Sequence, residues 1–366
     1  MVYTNLIVGF IVVISIIIGF IVSKVLNSDK EQNISNLFIS TGVGLIISSF
    51  ATTSDKIIDI FNHIIGSSNL VSSNNYVSMI CGFLLIVIGI YYKKNIRDRF
   101  FVLNFLSKDR RVISDISVVK DLKLSDFKLR EQSIDVVRMF KDGSNITSIS
   151  NKYIVDEIEE KANCFINQSK EFNRGFTGMG AIPYSILLGT YLSATEIDEY
   201  FEYNSNTQKY YSLEGKKRFK RNTDFQKLNI NIPLTNTQDT EVVVALSVSY
   251  PVDDYDLVQF NGKDIIKIGV PTPKDNKIRS KEQLNNYVEE IMTTLEGLKS
   301  KYTNLDTIHL VGAIPSCLSV ELGRRISLRR NRLLKIISYQ YMSSNTPRYI
   351  WGLVITETNK GKLIKV

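Results

Sequence analysis

With only three cysteines and two histidines among its 366 residues, the chain has few groups for two large classes of chemistry. Cys81, Cys164 and Cys317 form no CxxC pair and no even framework, which argues against disulfide staples and a zinc grip and fits a reducing compartment. Neither His63 nor His309 has a second histidine or a cysteine at ligand spacing, so no metal or other cofactor is expected. No serine, histidine and acid set surrounds His309, which reads as a structural histidine. No paired base and acid can be assembled, so the chain is not expected to be an enzyme.

Charge is also scarce where the chain begins. Residues 6–22 contain none, and up to Tyr92 three lysines face four acids, so the formal net charge of +8 belongs to the remainder. The run 6–26 is long enough to cross hydrocarbon and lacks the basic start and small-residue cleavage site of a signal peptide. A second run, YVSMICGFLLIVIGIYY at 76–92, ends in paired tyrosines, and from Tyr92 to Arg111 seven basic residues face two acids. That is an interfacial aromatic belt with a cytoplasmic flank, which puts everything after it in the cytosol. Between these runs, 36–53 carries Ser40, Gly44 and Ser48 at four-residue spacing, one small and weakly polar helical face. Such a face permits close packing within one subunit, or lines a water-filled path between several. The expectation is a transmembrane region over 1–92 with about three spans, 6–26, 36–53 and 76–92, and an outward N-terminus. Residues 93–150 are expected to be a basic flank and helical linker.

Beyond 150 the pattern alternates helix and strand, as an α/β fold requires, and it repeats. Gly180-Ala181-Ile182-Pro183 and Gly312-Ala313-Ile314-Pro315 are each preceded by a helical stretch and a strand. Each is followed by an apolar helix and then by two strand-like runs separated by a polar turn. The expected architecture is two related lobes, about 151–235 and 236–366, arranged as a pseudo-dimer. A strand that breaks at glycine and proline and enters a helix presents backbone N–H groups and the positive helix end beside the sheet's carboxyl edge, where ligands of open α/β sheets sit. Two such turns facing each other suit a ligand with repeating phosphates. Candidate contacts are therefore the two four-residue turns themselves, with Tyr184, Ser185 and Ser316 beyond them. Ser249 and Tyr250 join them, since they follow the strand Glu241–Val248 expected beside the Gly312 turn. Tyr184 and Tyr250 are candidate base stackers. Arg324 and Arg325 admit two readings, phosphate contact or complement to a helix C-terminus, and Arg329, Arg330, Arg332 and Lys335 favour the second. Glu321 reads either as a pocket acceptor or as part of a surface face.

The stretches EVVVALSVSYP, DTIHLVGAIPSCLSVELGRR and LLKIISYQY resemble the SAVED domain, the fused double form of the CARF nucleotide-binding fold found in effectors of bacterial CBASS antiphage systems. The resemblance runs from about Tyr153 to the C-terminus and is strongest from Glu241 to Tyr341. It implies an α-helical transmembrane region followed by a sensor of two fused CARF-like, Rossmann-like lobes. Also implied are binding of a cyclic di-, tri- or tetranucleotide made by a partner nucleotidyltransferase, self-assembly into a homo-oligomer, and damage to the bilayer of a bacterial inner membrane. DNA is not an expected partner. Two other readings compete: a membrane-bound nucleotide-binding scaffold, and a ring nuclease that cleaves the messenger.

Overall fold

The computed structural model describes residues 34–47, 49, 74–97, 100–108, 110, 112–113, 122, 129–140, 146–170, 172–213, 226–233, 237–329, 332–356 and 359–366. It divides into an N-terminal unit ending at Arg99 and a second unit beginning at Phe100.

In the N-terminal unit, helix α1 spans 34–47 and helix α2 spans Asn74–Arg97. They meet through glycine. A Cβ placed on Gly42 would lie 2.5 Å from the carbonyl oxygen of Gly82, and one on Gly82 would lie 2.7 Å from that of Gly42, so the two backbones touch where side chains are missing. Two turns away the Ser35 hydroxyl donates to the Gly89 carbonyl at 2.8 Å. The small face used in this contact is therefore Ser35, Gly42 and their neighbours, not the expected stripe. Ser40 is exposed and bonds back to Leu37, Gly44 is half-buried, and Ser48 lies outside the described residues. Large apolar side chains point away from the pair, among them Ile47, Phe83, Leu84 and Ile90. Among the described residues no helix is long and apolar enough to cross a membrane. The expected span 76–92 falls in α2 and is not borne out by this measure, while the expected span 6–26 and the end of 36–53 lie outside those residues.

The second unit contains two sheets. The first has the strand order β2-β1-β3-β4-β5, from Phe100–Leu106 (β1), Leu129–Asp135 (β2), Asn173–Met179 (β3), Glu199–Asn204 (β4) and Lys209–Ser212 (β5). The second has the order β12-β11-β10-β9-β7-β8-β6. Its strands are Asn229–Asn231 (β6), Glu241–Ser247 (β7), Ile265–Gly269 (β8), Thr307–Ala313 (β9), Lys335–Gln340 (β10), Trp351–Val354 (β11) and Leu363–Lys365 (β12). The run β8-β7-β9-β10-β11 repeats β2-β1-β3-β4-β5, four parallel strands closed by an antiparallel fifth. In each lobe a long helix precedes the third strand, Ser148–Gln168 (α3) or Lys281–Lys301 (α5), and a second helix follows it, Ile182–Tyr191 (α4) or Ser316–Leu328 (α6). Strands β1 (FFVLNFL) and β9 (TIHLVGA) are buried nearly throughout, as parallel strands covered on both faces must be. Helix starts follow local chemistry: Thr147 and Ser150 form a reciprocal capping box at α3, and the Ser280 side chain accepts from Gln283 N at α5.

Two expectations need correction. The segment read as a helical linker supplies β1 and β2, the first two strands of lobe one. At the other boundary, β6 pairs with β8 in the second sheet, so the change of lobe falls before Asn229 and not near 235.

The lobes join where α4 crosses α6. A Cβ on Gly189 would overlap the carbonyl oxygen of Val320, and one on Gly323 would overlap that of Ile186. The contact is reciprocal, each glycine meeting the residue three positions before the other. This is what a pseudo-twofold axis through the crossing requires.

Candidate functional site

In both lobes the strand order reverses between the first and third strands, and the carboxyl ends at such a point are where an open α/β sheet receives ligands. The two points are built alike. In lobe one, Ser107 N and Lys108 N donate to Met179 O at 3.4 and 3.1 Å; in lobe two, Val248 N and Ser249 N donate to Ala313 O at 3.1 and 2.8 Å. Met179 thus corresponds to Ala313, and the helix starts Ile182 and Ser316 correspond in turn. The expected neighbourhood of Ser249 and the Gly312 turn is present. The identical letters are not equivalent, however. Gly180–Pro183 covers the loop and first helical residues of lobe one, whereas Gly312–Pro315 covers the strand end, loop and N-cap of lobe two, a slip of two positions.

The helix N-termini are not free to cradle phosphates. At α6 the Glu202 carboxylate, from β4 in the other lobe, accepts from Ser316 Oγ at 3.0 Å and from Cys317 N at 2.5 Å. At α4, Ile182 N donates to Gln340 Oε1 at 3.1 Å, and Ala181 N donates to Ser107 Oγ at 2.8 Å. Tyr200 pairs with Phe176 and Ser338 with Leu310, which makes Glu202 and Gln340 counterparts in β4 and β10. Each lobe therefore caps the other's helix. An anion at the positive end of a helix is favourable, and in lobe two the chain provides its own.

Burial raises the pKa of Glu202, with bonds from Cys317 and Ser316 pulling the other way and the Asp275 charge adding to the rise. The cost of burial exceeds the gain from capping, and a pH dependence follows. A raised folded-state pKa means that this carboxyl's stabilising contribution is full below the unfolded carboxyl value and is lost as pH rises through the folded one. Glu202→Gln keeps an acceptor for Ser316 and Cys317 but does not titrate. Its melting temperature relative to the wild type should therefore rise between about pH 4 and about pH 8. Parallel melting curves at the two pH values would contradict this account.

Several expected contacts lie elsewhere. Tyr184 is fully buried, packs against Phe140 and Trp351, and donates to Asn151 Oδ1 at 2.8 Å, so it is a core ring with no face for a base. Ser185, Pro183 and Gly312 are buried, and the ring of Phe105 occupies the space a side chain at Gly180 would need. Arg324 is buried at the lobe junction, where it pairs with Glu321 at 2.5 Å and donates to Leu192 O at 3.3 Å. Arg325 pairs with Glu321, and Arg329 and Arg332 pair with acids of α5, so this cluster is neutralised within the chain; Arg330 lies outside the described residues. Glu321 is buried between the lobes, neither pocket acceptor nor surface residue. Of the expected set, Gly180, Ile182, Ser249, Ala313, Pro315 and Ser316 are half-buried along the strand ends, and Tyr250 is 60 % exposed beside them. Ala181 and Ile314 are buried beneath.

Sequence reasoning did not single out the cations of this edge. Lys108 follows β1 and is exposed, yet the protein mass around its ammonium lowers its pKa. Lys274 is exposed, and its backbone N donates to Val248 O at 3.2 Å, which sets it beside Ser249. Next to it, the pKa of Lys277 is lowered by burial and then by the charge of Lys274. The signal for Lys108 was available: a seven-residue apolar run ending in Ser-Lys, placed as EVVVALS is placed in the other lobe.

Residues 158–355 match the profile of the SAVED family, the "SMODS-associated and fused to various effectors sensor domain". Among solved structures, the Acinetobacter baumannii Cap4 SAVED/CARF-domain containing receptor with the cyclic trinucleotide 2'3'3'-cAAA is 16 % identical, with a TM-score of 0.48 over 90 % of this chain and 67 % of that one. The same receptor with 3'3'3'-cAAA is 15 % identical, with a TM-score of 0.49 over 89 % and 66 %. The chain spans about two thirds of the length of these receptors. No curated protein sequence matches it.

Proposed function

Because the chain belongs to the SAVED family of sensor domains, we propose that it is a membrane-anchored receptor for a cyclic di-, tri- or tetranucleotide. Ligand binding in the cytosol drives it to oligomerise and to disrupt a bacterial inner membrane in antiphage defence. The observation that carries the sensor half is the pair of matching strand-end edges, tied together by the reciprocal caps of Glu202 and Gln340. A ligand with repeated phosphates and bases fits a receptor whose two edges repeat one plan. The membrane half is supported by the uncharged run 6–22, the basic flank after Tyr92, and a helix pair that turns large apolar side chains outward. Its output is physical and calls for no covalent step. A nucleotidyltransferase would supply the messenger.

The test uses the full chain reconstituted in dye-loaded liposomes and titrated with a panel of cyclic oligonucleotides and linear mononucleotides. One cyclic ligand should bind, raise the oligomeric state and release dye at least tenfold faster than the linear controls, because a ligand drives assembly only by binding the assembled form better. Binding without dye release would replace the effector by a nucleotide-binding scaffold. Loss of the ligand during incubation would favour the ring nuclease.

A further inference from the structure

We propose that the ligand's phosphodiester groups are taken by Lys108 in lobe one and Lys274 in lobe two, at the strand ends, and not by the helix N-termini or the arginines of α6. The proposal rests on the sensor reading above and assigns its anion contacts.

The argument begins with what is already occupied. The positive end of α6 holds the Glu202 carboxylate, and that of α4 has Ile182 N engaged by Gln340 and Ala181 N by Ser107. A phosphate entering at α6 would sit against a buried carboxylate. The arginines that looked like phosphate contacts are paired with Glu321, Glu289 and Glu296. Among the described residues, neither Lys108 nor Lys274 has an ion-pair partner, and both are exposed.

Their positions are set by backbone bonds. Lys108 and Ser249 hold the same place in the two lobes, each donating its N–H to the carbonyl that ends the third strand, and Lys274 is bonded to Val248, next to Ser249. The two edges are linked by hydrogen bonds between the lobes. Ser107, beside Lys108, bonds the α4 loop, which Gln340 of lobe two reaches, while Asp275, beside Lys274, accepts from Ser205 at the end of β4 in lobe one. Lys277 is tied to Gln226 and to Thr272 O, which leaves Lys274 as the outward member of the pair. Desolvation lowers the pKa of Lys108 at one edge, and burial and then the charge of Lys274 lower that of Lys277 at the other, a cost that a bound anion relieves.

The experiment measures binding of the cyclic-oligonucleotide panel to the full chain and to Lys108→Gln, Lys274→Gln, the double variant and Lys299→Gln. Lys299 is an exposed lysine at the end of α5, and its replacement changes net charge equally. Thermal melts confirm that each variant is folded. The two single variants should each bind at least tenfold more weakly and the double variant at least a hundredfold, with Lys299→Gln within twofold of wild type. Unchanged affinity in the two single variants overturns the proposal and leaves the sensor reading intact, as does an equal loss in Lys299→Gln. Should no panel member bind the wild type, the sensor reading fails. The lysines are then judged by titrating inorganic triphosphate into chain carrying 13C-methylated lysines. Methyl shifts confined to Lys108 and Lys274 would support the anion site, and their absence would overturn it.

Discussion

Alanine at Gly323 or at Gly189 is expected to lower the melting temperature of the sensor unit by roughly 6–12 °C. The Cβ added at Gly323 falls on the Ile186 carbonyl, with the carbonyl carbon at 2.8 Å and the Cα of Gly189 at 3.1 Å. The atoms in the way are helical backbone, which cannot swing aside as the end of a long side chain can. Relief requires α4 and α6 to separate, and that loosens the helix contact lying on the pseudo-twofold axis. Overpacking of a tight site costs about 1–3 kcal/mol and sometimes more, and a clash with backbone on both sides belongs at the upper end. Gly297, four residues before the end of α5, is the control: nothing lies within 4 Å of a Cβ there. Alanine at that position should stabilise the helix by about 0.5–1 kcal/mol, because glycine is the poorer helix former. Equal melting temperatures for Gly323→Ala and Gly297→Ala would show that the lobes do not meet as described.

The existence of two lobes was legible because their order of elements repeats, and repeat order survives when few letters do. The register was not. Identical residues at 180–183 and 312–315 invite alignment letter for letter, yet the backbone bonds of Met179 and Ala313 set the correspondence two positions away. In the structural register Gly178 and Gly312 are partners, each lying against the penultimate residue of the neighbouring strand, Phe105 or Leu246. The first strand of lobe one was not legible either, because FFVLNFL begins right after Arg99 in a flank whose basic charge points to membrane orientation. A seven-residue buried run carries no period, so its neighbours decided the reading.

Contacts between distant elements were the least legible. Glu202 in the strand EYFEYN alternates as a surface acid would, and only the meeting of the lobes turns it into a cap for Ser316 and Cys317. The same limit applies to α1. Helical spacing offers several small-residue faces over 34–49, and the sequence does not say which one meets α2. The structure selects Ser35 and Gly42 and leaves the Ser40 and Gly44 face turned away from that contact. Arg324 misled for the opposite reason: a cluster of arginines advertises an anion, and the anion is Glu321, three residues earlier.

Removing that carboxylate should be among the most damaging single changes in the sensor. Glu321 is 2 % exposed and accepts from the Tyr200 hydroxyl at 2.6 Å, from Arg324 Nη1 at 2.5 Å and from Arg325 Nε at 3.1 Å. Tyr200 belongs to lobe one, as does Leu192, whose carbonyl receives Arg324 Nε, so the carboxylate joins both lobes through one buried network. Burial raises the Tyr200 pKa well above the ordinary range, which keeps the phenol protonated as a donor. Glu321→Ala leaves the Arg324 guanidinium buried without its counter-charge and Tyr200 without its acceptor. Breaking a buried pair on one side costs about 3–5 kcal/mol, most of it the penalty of the stranded charge and not the net worth of the pair. The distinction can be measured. A triple variant, Glu321→Leu with Arg324→Met and Tyr200→Phe, removes the buried members of the network together, leaving only the half-buried Arg325, and should recover most of the loss, because apolar replacement of a buried network is often neutral or stabilising. Urea denaturation of the wild type, the single and the triple variant reads both quantities. A single variant as stable as the wild type would mean that water already reaches Arg324. A triple variant as unstable as the single would place the damage in packing and not in charge.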